Sequence, residues 1–437
     1  MAHGRASVGA LLMALILAAC GGSSGGNPDR PRTGSPEPID ALPRALTASE
    51  SEVIGASSAF GLELAARVAA ADMRENVVIS PLGASMALGM ALNGANGTTF
   101  DGMRAALGFG SLTQEQINGA YRDSIDLLAG LDPTVRFELA NAVWTDEGAP
   151  FHDAFFRAVT AAFDARAEER DFGDPATVTA INAWVEEHTN GMIDRIVDSL
   201  DPALVMLLVN AIYFEGAWST QFDPADTRRR PFTREDGSTA DVDMMSLDGV
   251  DVRRAQGSTY AAVELPYGGE AFAMVIVLPS PGMSARDWLA ALDAETWAAL
   301  TGALVDAKLD LLSIPKFTLT YDVYLNDALM ALGMEAPFRA GADFTRMSPL
   351  GDQMCIDFVR QKTRIEVDER GTRAVAATAV GIGVTSFSSF VADRPFVFVI
   401  RERLSGAVLF AGFVGDPTAE DPGAGRRASD CTGALLQ

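Results

Sequence analysis

The chain has 437 residues, of which 48% are hydrophobic and 21% are charged, values typical of a globular protein that can bury a large core. Its formal net charge of −24 argues against a nucleic-acid-binding protein, because such proteins contact phosphates through basic patches. The acidity otherwise favours solubility and says little about function.

Residues 1–19 have the pattern of an export signal. Arg5 gives a weakly basic start, and the apolar run VGALLMALILAA that follows is too short to span a bilayer comfortably. The run ends in LAAC, which resembles a bacterial lipoprotein signal and implies that Cys20 is lipidated and becomes the new N-terminus. The alternative is a plain secretory signal with a chance cysteine.

Residues 20–51 are predicted to form a flexible tether, because the stretch GGSSGGNPDRPRTGSPEP is rich in Gly, Ser and Pro. Gly21 rather than Asp follows the lipidated cysteine, which resembles the sorting pattern of outer-membrane lipoproteins in Gram-negative bacteria. We therefore expect an exported protein, lipid-anchored to the cell envelope at the outer membrane, in the periplasm or at the surface.

The globular domain is predicted to span residues 52–417, with a tail at 418–437. Helices and long strands interleave irregularly along it, which favours the α+β class. The apolar run ALVMLLVNAIYF (203–214) is typical of a central strand buried on both faces, and CIDFVRQKTRIEVDE (355–369) alternates like one long strand. LDLLSIPKFTLTY is predicted to be a single strand with a kink at Pro315. Helices are also predicted at 60–68, 82–94, 284–292 and 323–334, and a further helix is predicted to begin at 181. Strands are also predicted at 76–80, 136–146, 261–267, 272–279, 394–403 and 406–414.

The sequence shows no catalytic motif. It contains no HExxH, CxxC, GxSxG or Walker lysine loop, and His152 and His188 lack metal-ligand spacing. His188 lies on one face of an amphipathic helix, which favours a structural role. We therefore expect no metal, no cofactor and no enzymatic activity. Export permits a disulfide between Cys355 and Cys431, and the sequence leaves open whether they pair.

The stretch ERGTRAVAATAVGIGVTSFSSF (369–390) is unusual, because Arg373 is the only charge from Gly371 to Phe390. In a strand, alternate side chains fall on opposite faces, so Arg373 lies on one face and the other is uncharged. Such a segment can enter a sheet at low desolvation cost, or stay outside as a loop, because its small residues favour no single conformation. The alternatives are a linker and an ordinary buried strand. The uncharged face consists of Thr372, Ala374, Ala376, Thr378, Val380, Ile382 and Val384.

Motifs along the chain resemble those of the serpins, the serine protease inhibitors, in the family's order from about Glu52 to Pro417. They are NVVISPLGASMAL, INAWVEEHTNG, LVNAIYFEGAW, ELPYGGEAFAMVIVLP, IPKFTLTYDVYLNDALMALGM, EVDERGTRAVAAT, FVADRPFVFVI and SGAVLFAGFVGDP. The resemblance implies an α+β serpin fold with three β-sheets, eight or nine helices and an exposed reactive-centre loop. It also implies a suicide substrate: a target serine protease cleaves the loop and forms a covalent acyl complex, and the loop inserts into the main sheet.

The resemblance also assigns site residues to this chain. Counting along the loop places the reactive bond at Thr385–Ser386, whereas counting back from Arg394–Pro395 places it at Val384–Thr385. Both candidate specificity residues are small, which implies elastase-like or subtilisin-like targets. The shutter and the top of the sheet are assigned to Ser80, Asn210, Gln361 and Trp218. The hinge is assigned to Glu369, Gly371, Thr372, Ala374, Ala376 and Thr378.

The expected partners are the target protease and, through the N-terminal lipid, a membrane, with the protein itself a monomer. One alternative is a non-inhibitory serpin that acts as a binding or chaperone-like module. Its hinge would usually carry a charge or a proline on the inward face, and this sequence has neither. A second alternative, a lipoprotein that delivers a solute to a transporter, leaves the segment 369–390 without a purpose.

Overall fold

The computed structural model of the chain describes residues 37–201, 203–371, 388–421 and 423. The signal and most of the predicted tether lie outside these residues, as do the segment 372–387 and most of the tail. The folded chain begins earlier than residue 52: the first helix starts at Ala48, and the Ile39 amide donates a 2.7 Å hydrogen bond to the Gly269 carbonyl. Residues before the predicted domain start at 52 therefore also pack onto the folded chain.

Nine α-helices lie within the described residues, and their ends follow local capping rules. In the first, Thr47 and Glu50 form a capping box in which each side chain accepts from the other residue's amide. Pro81 opens the second, where its missing N–H is not needed. The helices are α1 (Ala48–Ala71), α2 (Pro81–Leu92), α3 (Gly97–Ala106), α4 (Gln114–Gly130), α5 (Asp153–Phe163), α6 (Pro175–His188), α7 (Ala285–Ala290), α8 (Ala294–Gly302) and α9 (Asn326–Ala331).

Fourteen strands lie within the same described ranges. They are β1 (Asn76–Ile79), β2 (Val135–Asp146), β3 (Arg166–Arg170), β4 (Met206–Gly216), β5 (Arg228–Thr233), β6 (Thr239–Gln256), β7 (Tyr260–Tyr267), β8 (Phe272–Pro279), β9 (Val305–Pro315), β10 (Phe317–Tyr324), β11 (Arg360–Val367), β12 (Ser389–Val391), β13 (Phe396–Glu402) and β14 (Val408–Val414). The elements confirm the α+β prediction.

The strands form three hydrogen-bonded sheets. The largest has nine strands in the order β1-β14-β13-β8-β7-β6-β9-β12, with β5 also paired to β6. The 18-residue β6 makes this sheet continuous, because it is long enough to pair with β5, β7 and β9. The second sheet pairs β10 with β11, and the third has the order β3-β2-β4. Three sheets and nine helices in the part described agree with the fold that the motifs imply.

Three strand predictions need correction. Residues 309–321 are not one kinked strand: Pro315 ends β9, and β10 begins at Phe317 in a different sheet. The strand predicted at 355–369 is shorter, because only Arg360–Val367 forms the ladder of β11. β4 is not buried on both faces along its whole length, since its burial alternates and, in the described structure, it forms the edge of its sheet.

The core explains why β4 alternates. Leu207 and Val209 of β4 pack with Ile181 and Trp184 of α6 in one buried cluster, so α6 covers one face of the β3-β2-β4 sheet. The residues between them are partly buried on the opposite face, against the larger core that includes α1 and α2. α1 has the length and apolarity of a membrane-spanning helix, but most of that window is buried inside the domain, as is common for core helices. His188 ends α6 and packs on Trp184, with ring centroids 4.5 Å apart.

Candidate functional site

The candidate site is a slot between two strand edges, β4 in one sheet and β11 in another. No ladder joins these strands in the ranges that the structure describes, and a cavity of about 490 Å³ lies at their lower ends, beside Met206–Asn210 of β4 and the first two residues of β11. One wall is Met206–Asn210 and the other is the segment 354–361, while α2 forms the floor with mostly small residues and Leu88. Residues 355–359 of this wall belong to the predicted long strand but do not join the ladder of β11.

The direction of both strands follows from their upper ends. β4 ends at Gly216 and β11 ends at Val367, and an isolated bridge joins Ala217 to Gly371 just beyond both ends. β4 and β11 therefore run the same way, towards the same end of the slot. A segment that turned back from Gly371 into the slot would run antiparallel to both neighbours, which is the more stable pairing for a strand.

Gln361 fixes the lower end of β11. Its side-chain oxygen accepts from the Ser80 amide at 2.8 Å, and its side-chain nitrogen donates to the Ser80 carbonyl at 3.0 Å. The Ser80 hydroxyl in turn donates to the Leu409 carbonyl at 2.9 Å and accepts from the Gly83 amide in the first turn of α2. Ser80 and Gln361 are both buried, so these bonds form without competition from water.

Asn210 fixes the opposite wall. Its side-chain nitrogen donates to Asn141 Oδ1 on β2 at 2.7 Å, and Asn141 donates to the Phe163 carbonyl at 2.8 Å. A Cβ at Gly83 would come within 2.3 Å of Asn210 Oδ1, so α2 can approach β4 only because a glycine stands there. The predicted shutter residues Ser80, Asn210 and Gln361 thus meet at the slot. The β11 wall is bonded to Ser80 and the β4 wall is bonded to Asn141 of β2.

Trp218 closes the upper end of the slot. Its backbone amide donates to the Arg370 carbonyl and its indole Nε1 donates to the Asp368 carbonyl, both at 3.0 Å. The indole ring stacks on Tyr267 with centroids 4.4 Å apart and planes 13° apart. Gly371 has a φ of +104°, and a Cβ there would lie 2.3 Å from the Trp218 amide nitrogen. Only glycine satisfies both the backbone conformation and this close contact.

Glu369, the first residue of the predicted hinge, is a charged anchor. Its carboxylate bonds Lys316 Nζ at 2.8 Å and accepts from Thr227 Oγ1 at 2.7 Å, while its carbonyl accepts from the Phe222 amide at 3.0 Å. Burial by itself raises the pKa of Glu369, but the bonds from Lys316 and Thr227 outweigh it and hold the pKa below its usual value. Glu369 therefore stays ionised at neutral pH while it is almost fully buried.

Ser388 is the first described residue after the segment 372–387 and is held by two hydrogen bonds. The Ser388 amide donates to Asp310 Oδ2 at 2.7 Å, and Arg254 donates to the Ser388 hydroxyl at 3.2 Å. The following strand, β12, pairs in parallel with β9. The segment 372–387 between Gly371 and Ser388 thus has both neighbours anchored, one at the top of the slot and one at the edge of the nine-stranded sheet.

Several predicted site residues lie outside the described residues. They are the hinge positions Thr372, Ala374, Ala376 and Thr378, the reactive-bond candidates Val384, Thr385 and Ser386, and the lipidation site Cys20. Cys355, in the wall of the slot, is disulfide-bonded, and its partner also lies outside the described residues.

Sequence reasoning missed four residues that hold the site together: Thr227, Lys316, Tyr267 and Asn141. Thr227 and Lys316 are 142 and 53 positions from Glu369 (369 − 227 and 369 − 316), so no local spacing could reveal the contact. Tyr267 and Asn141 lie within strands whose patterns indicate burial only. The one available signal is Lys316 itself, a charge that directly follows Pro315 within the otherwise uncharged stretch 311–321.

Comparison with known proteins agrees with this geometry. A family model described as serpin (serine protease inhibitor) matches residues 55–417. Neuroserpin of Gallus gallus is 33% identical over 366 residues, which cover 80% of this chain and 88% of the relative. Glia-derived nexin of Rattus norvegicus is 32% identical over 375 residues, which cover 82% and 91%. The crystal structure of tengpin, a thermophilic serpin in its native state, matches with a TM-score of 0.76 at 29% identity and covers 87% of this chain and 97% of tengpin. The chain therefore belongs to the serpin family of serine protease inhibitors.

Proposed function

We propose that this serpin inhibits a serine protease as a suicide substrate, by inserting its cleaved loop between β4 and β11. The observation that carries the proposal is that β4 and β11 are unpaired along their facing edges in the described chain, with the hinge anchor at their upper ends and the cavity at their lower ends. Unpaired strand edges present rows of N–H and C=O groups, and a new strand would bond both rows at once.

The hinge sequence fits this slot. By strand parity, Thr372, Ala374, Ala376 and Thr378 share the uncharged face, and Arg373 points the other way. The α2 residues that line the cavity include four that are equally small, Gly83, Ala84, Ala87 and Ala91, beside Leu88. Small side chains facing small side chains allow insertion with little steric cost and no desolvation of a charge.

The chemistry belongs to the protease. Its serine hydroxyl attacks the scissile carbonyl, an ester bond to the loop forms, and the peptide bond breaks to release a new amino terminus. Insertion of the hinge then pulls the ester-linked protease along and distorts its oxyanion hole. Deacylation slows because the donors no longer lie where the oxyanion develops.

The target class follows from the reactive bond. Thr385–Ser386 and Val384–Thr385 both present a small specificity residue, which suits elastase-like or subtilisin-like pockets and not those that bind Arg or Lys. We further propose that the inhibitor is a monomer held to the outer membrane by a lipid on Cys20. It would then meet its target in the periplasm or at the cell surface.

The first test is complex formation with an elastase-like or a subtilisin-like protease. We expect an SDS-stable band that disappears in the variant Thr372→Arg, because this places a charge on the inserting face. The matched control is Arg373→Glu, which changes charge at the neighbouring, outward position and should leave the band intact. Mass spectrometry of the released loop fixes the scissile bond.

A non-inhibitory binding or chaperone-like role predicts a different pattern. The protease would then cleave the loop without a stable band, and the cleaved protein would melt at the same temperature as the intact one. Equal complex formation by Thr372→Arg and the wild type would refute the hinge argument itself.

A further inference from the structure

Three consecutive arginines, Arg228, Arg229 and Arg230, form an exposed basic surface on β5, which we call the arginine patch. The side chains of Arg228 and Arg229 are 59% and 63% exposed. Arg230 is also exposed and has no side-chain partner among the described residues. Such a run stands out in a chain with a net charge of −24.

The patch lies beside the root of the reactive loop. Thr227, the residue just before it, donates its hydroxyl hydrogen bond to Glu369 at the hinge. Arg229 is paired across the strands with Asp243, whose carbonyl accepts from the amide of Lys316, the other partner of Glu369. Thr227 and Lys316, whose side chains hold Glu369, therefore both lie close to the patch. Thr227 precedes it in the chain, and Lys316 bonds the strand that pairs with it.

Neighbouring acids neutralise the patch only in part. Asp226 lies 4.0 Å from Arg228 and Asp243 lies 3.8 Å from Arg229, at the long limit for ion pairs, and both carboxylates are more than half exposed. Asp241, the third acid nearby, is paired across the strands with Pro231. Exposed pairs of this kind are weak, so the arginines remain available to a partner.

We propose that the arginine patch is a second docking surface for the target protease and binds an acidic area on the rim of its substrate cleft. The inference rests on the proposed function, since a protease that cleaves the loop must sit above the loop's roots and hence beside β5. Opposite charges speed association and discriminate between proteases with the same cleft specificity. The remaining acidic surface of the inhibitor would favour docking in this orientation.

A competing explanation is that the arginines only protect the edge of the sheet. β5 pairs with β6 alone in the described structure, and charged residues on an edge strand prevent pairing with other molecules. Glutamates would protect the edge equally well, whereas they would repel an acidic protease. The sign of the charge therefore separates the two explanations.

The test measures the association rate constant of the full-length protein with a subtilisin-type protease that has an acidic cleft rim. The test variant carries Arg228→Glu, Arg229→Glu and Arg230→Glu, and a second variant carries lysine at the same positions. The matched control changes three exposed arginines outside β5, β6 and β9: Arg122→Glu, Arg157→Glu and Arg339→Glu. A protease variant whose rim acids are changed to lysine completes the charge swap.

We expect the test variant to associate about tenfold more slowly than the control at low salt, with the difference shrinking at about 0.5 M salt, where charges are screened. The lysine variant should stay near the wild-type rate, and the charge-swapped protease should reverse the loss. The stoichiometry and the SDS-stable band should not change. If the triple variant fails to fold, Arg230→Glu serves alone, because Arg230 has no side-chain partner to lose.

Equal rates for the test and control variants at low salt, with stable complexes in both, would overturn this inference and leave the proposed function standing. No stable complex with the wild type would instead refute the proposed function, and this inference with it. Unchanged rates, together with patch-dependent binding to vesicles of anionic phospholipid, would assign the patch to a membrane and also overturn the inference.

Discussion

Replacing Glu369 with glutamine is predicted to loosen the top of the slot. Glutamine keeps an oxygen that can accept from Thr227, but it loses the ion pair with Lys316 Nζ at 2.8 Å. Breaking a fully buried pair costs about 3–5 kcal/mol. Because the Lys316 side chain is 37% exposed, solvent screening reduces this, and we expect a loss of about 1–2 kcal/mol.

The loss should depend on pH. The folded protein holds the pKa of Glu369 below its ordinary 4.5, so its stabilising contribution is complete above pH 4.5. It disappears as the pH falls through the lower folded-state pKa, where the wild type also carries a neutral side chain. The wild type and Glu369→Gln should therefore differ at neutral pH and converge in acid.

Urea unfolding followed by tryptophan fluorescence measures this difference, and the rate of spontaneous loss of inhibitory activity measures its kinetic counterpart. The control is Glu366→Gln, which makes the same charge change at an exposed position of β11. Equal midpoints for the two variants at neutral pH would refute the anchor role of Glu369. A difference that persists unchanged far below pH 4 would refute its electrostatic origin.

Three further predictions concern the ends of the slot. Gly371→Ala should cost at least about 1–2 kcal/mol, because the left-handed backbone penalises a Cβ, and should shorten the half-life of the inhibitory form in an activity assay. Gln361→Ala should lower the free energy of unfolding by about 1–3 kcal/mol, because it leaves the buried amide of Ser80 without its acceptor, and an unchanged urea midpoint would contradict this role. Non-reducing peptide mapping should recover a peptide joining Cys355 to Cys431, since the only other cysteine, at position 20, is expected to be lipidated; a free thiol at residue 431 would contradict this pairing.

The sequence predicts the elements of the fold better than their arrangement. Continuous apolar runs place α2, β13 and β14 well, because nearly all residues of these elements are buried. They do not show which strands pair, so the slot between β4 and β11 is not foreseen. The prediction of one kinked strand at 309–321 fails for the same reason. A single apolar run there forms two strands in different sheets, β9 and β10, which are joined by one residue, Lys316.

The candidate site is predicted only where its residues fall within one continuous motif. Glu369 and Gly371 are found through the hinge pattern, and the structure adds the reasons: a buried ion pair for one and a left-handed backbone against Trp218 for the other. The partners of Glu369 come from distant parts of the chain. A single sequence carries no record of such contacts.

Hydrogen exchange of the backbone amides of β4 and β11, before and after loop cleavage, tests the central claim most directly. If the cleaved loop inserts, the β4 amides that point away from β2 and the β11 amides that point away from β10 gain partners. We predict that their exchange slows by orders of magnitude, while amides of the nine-stranded sheet change little. Unchanged exchange along both strand edges after complete cleavage would contradict insertion at this slot.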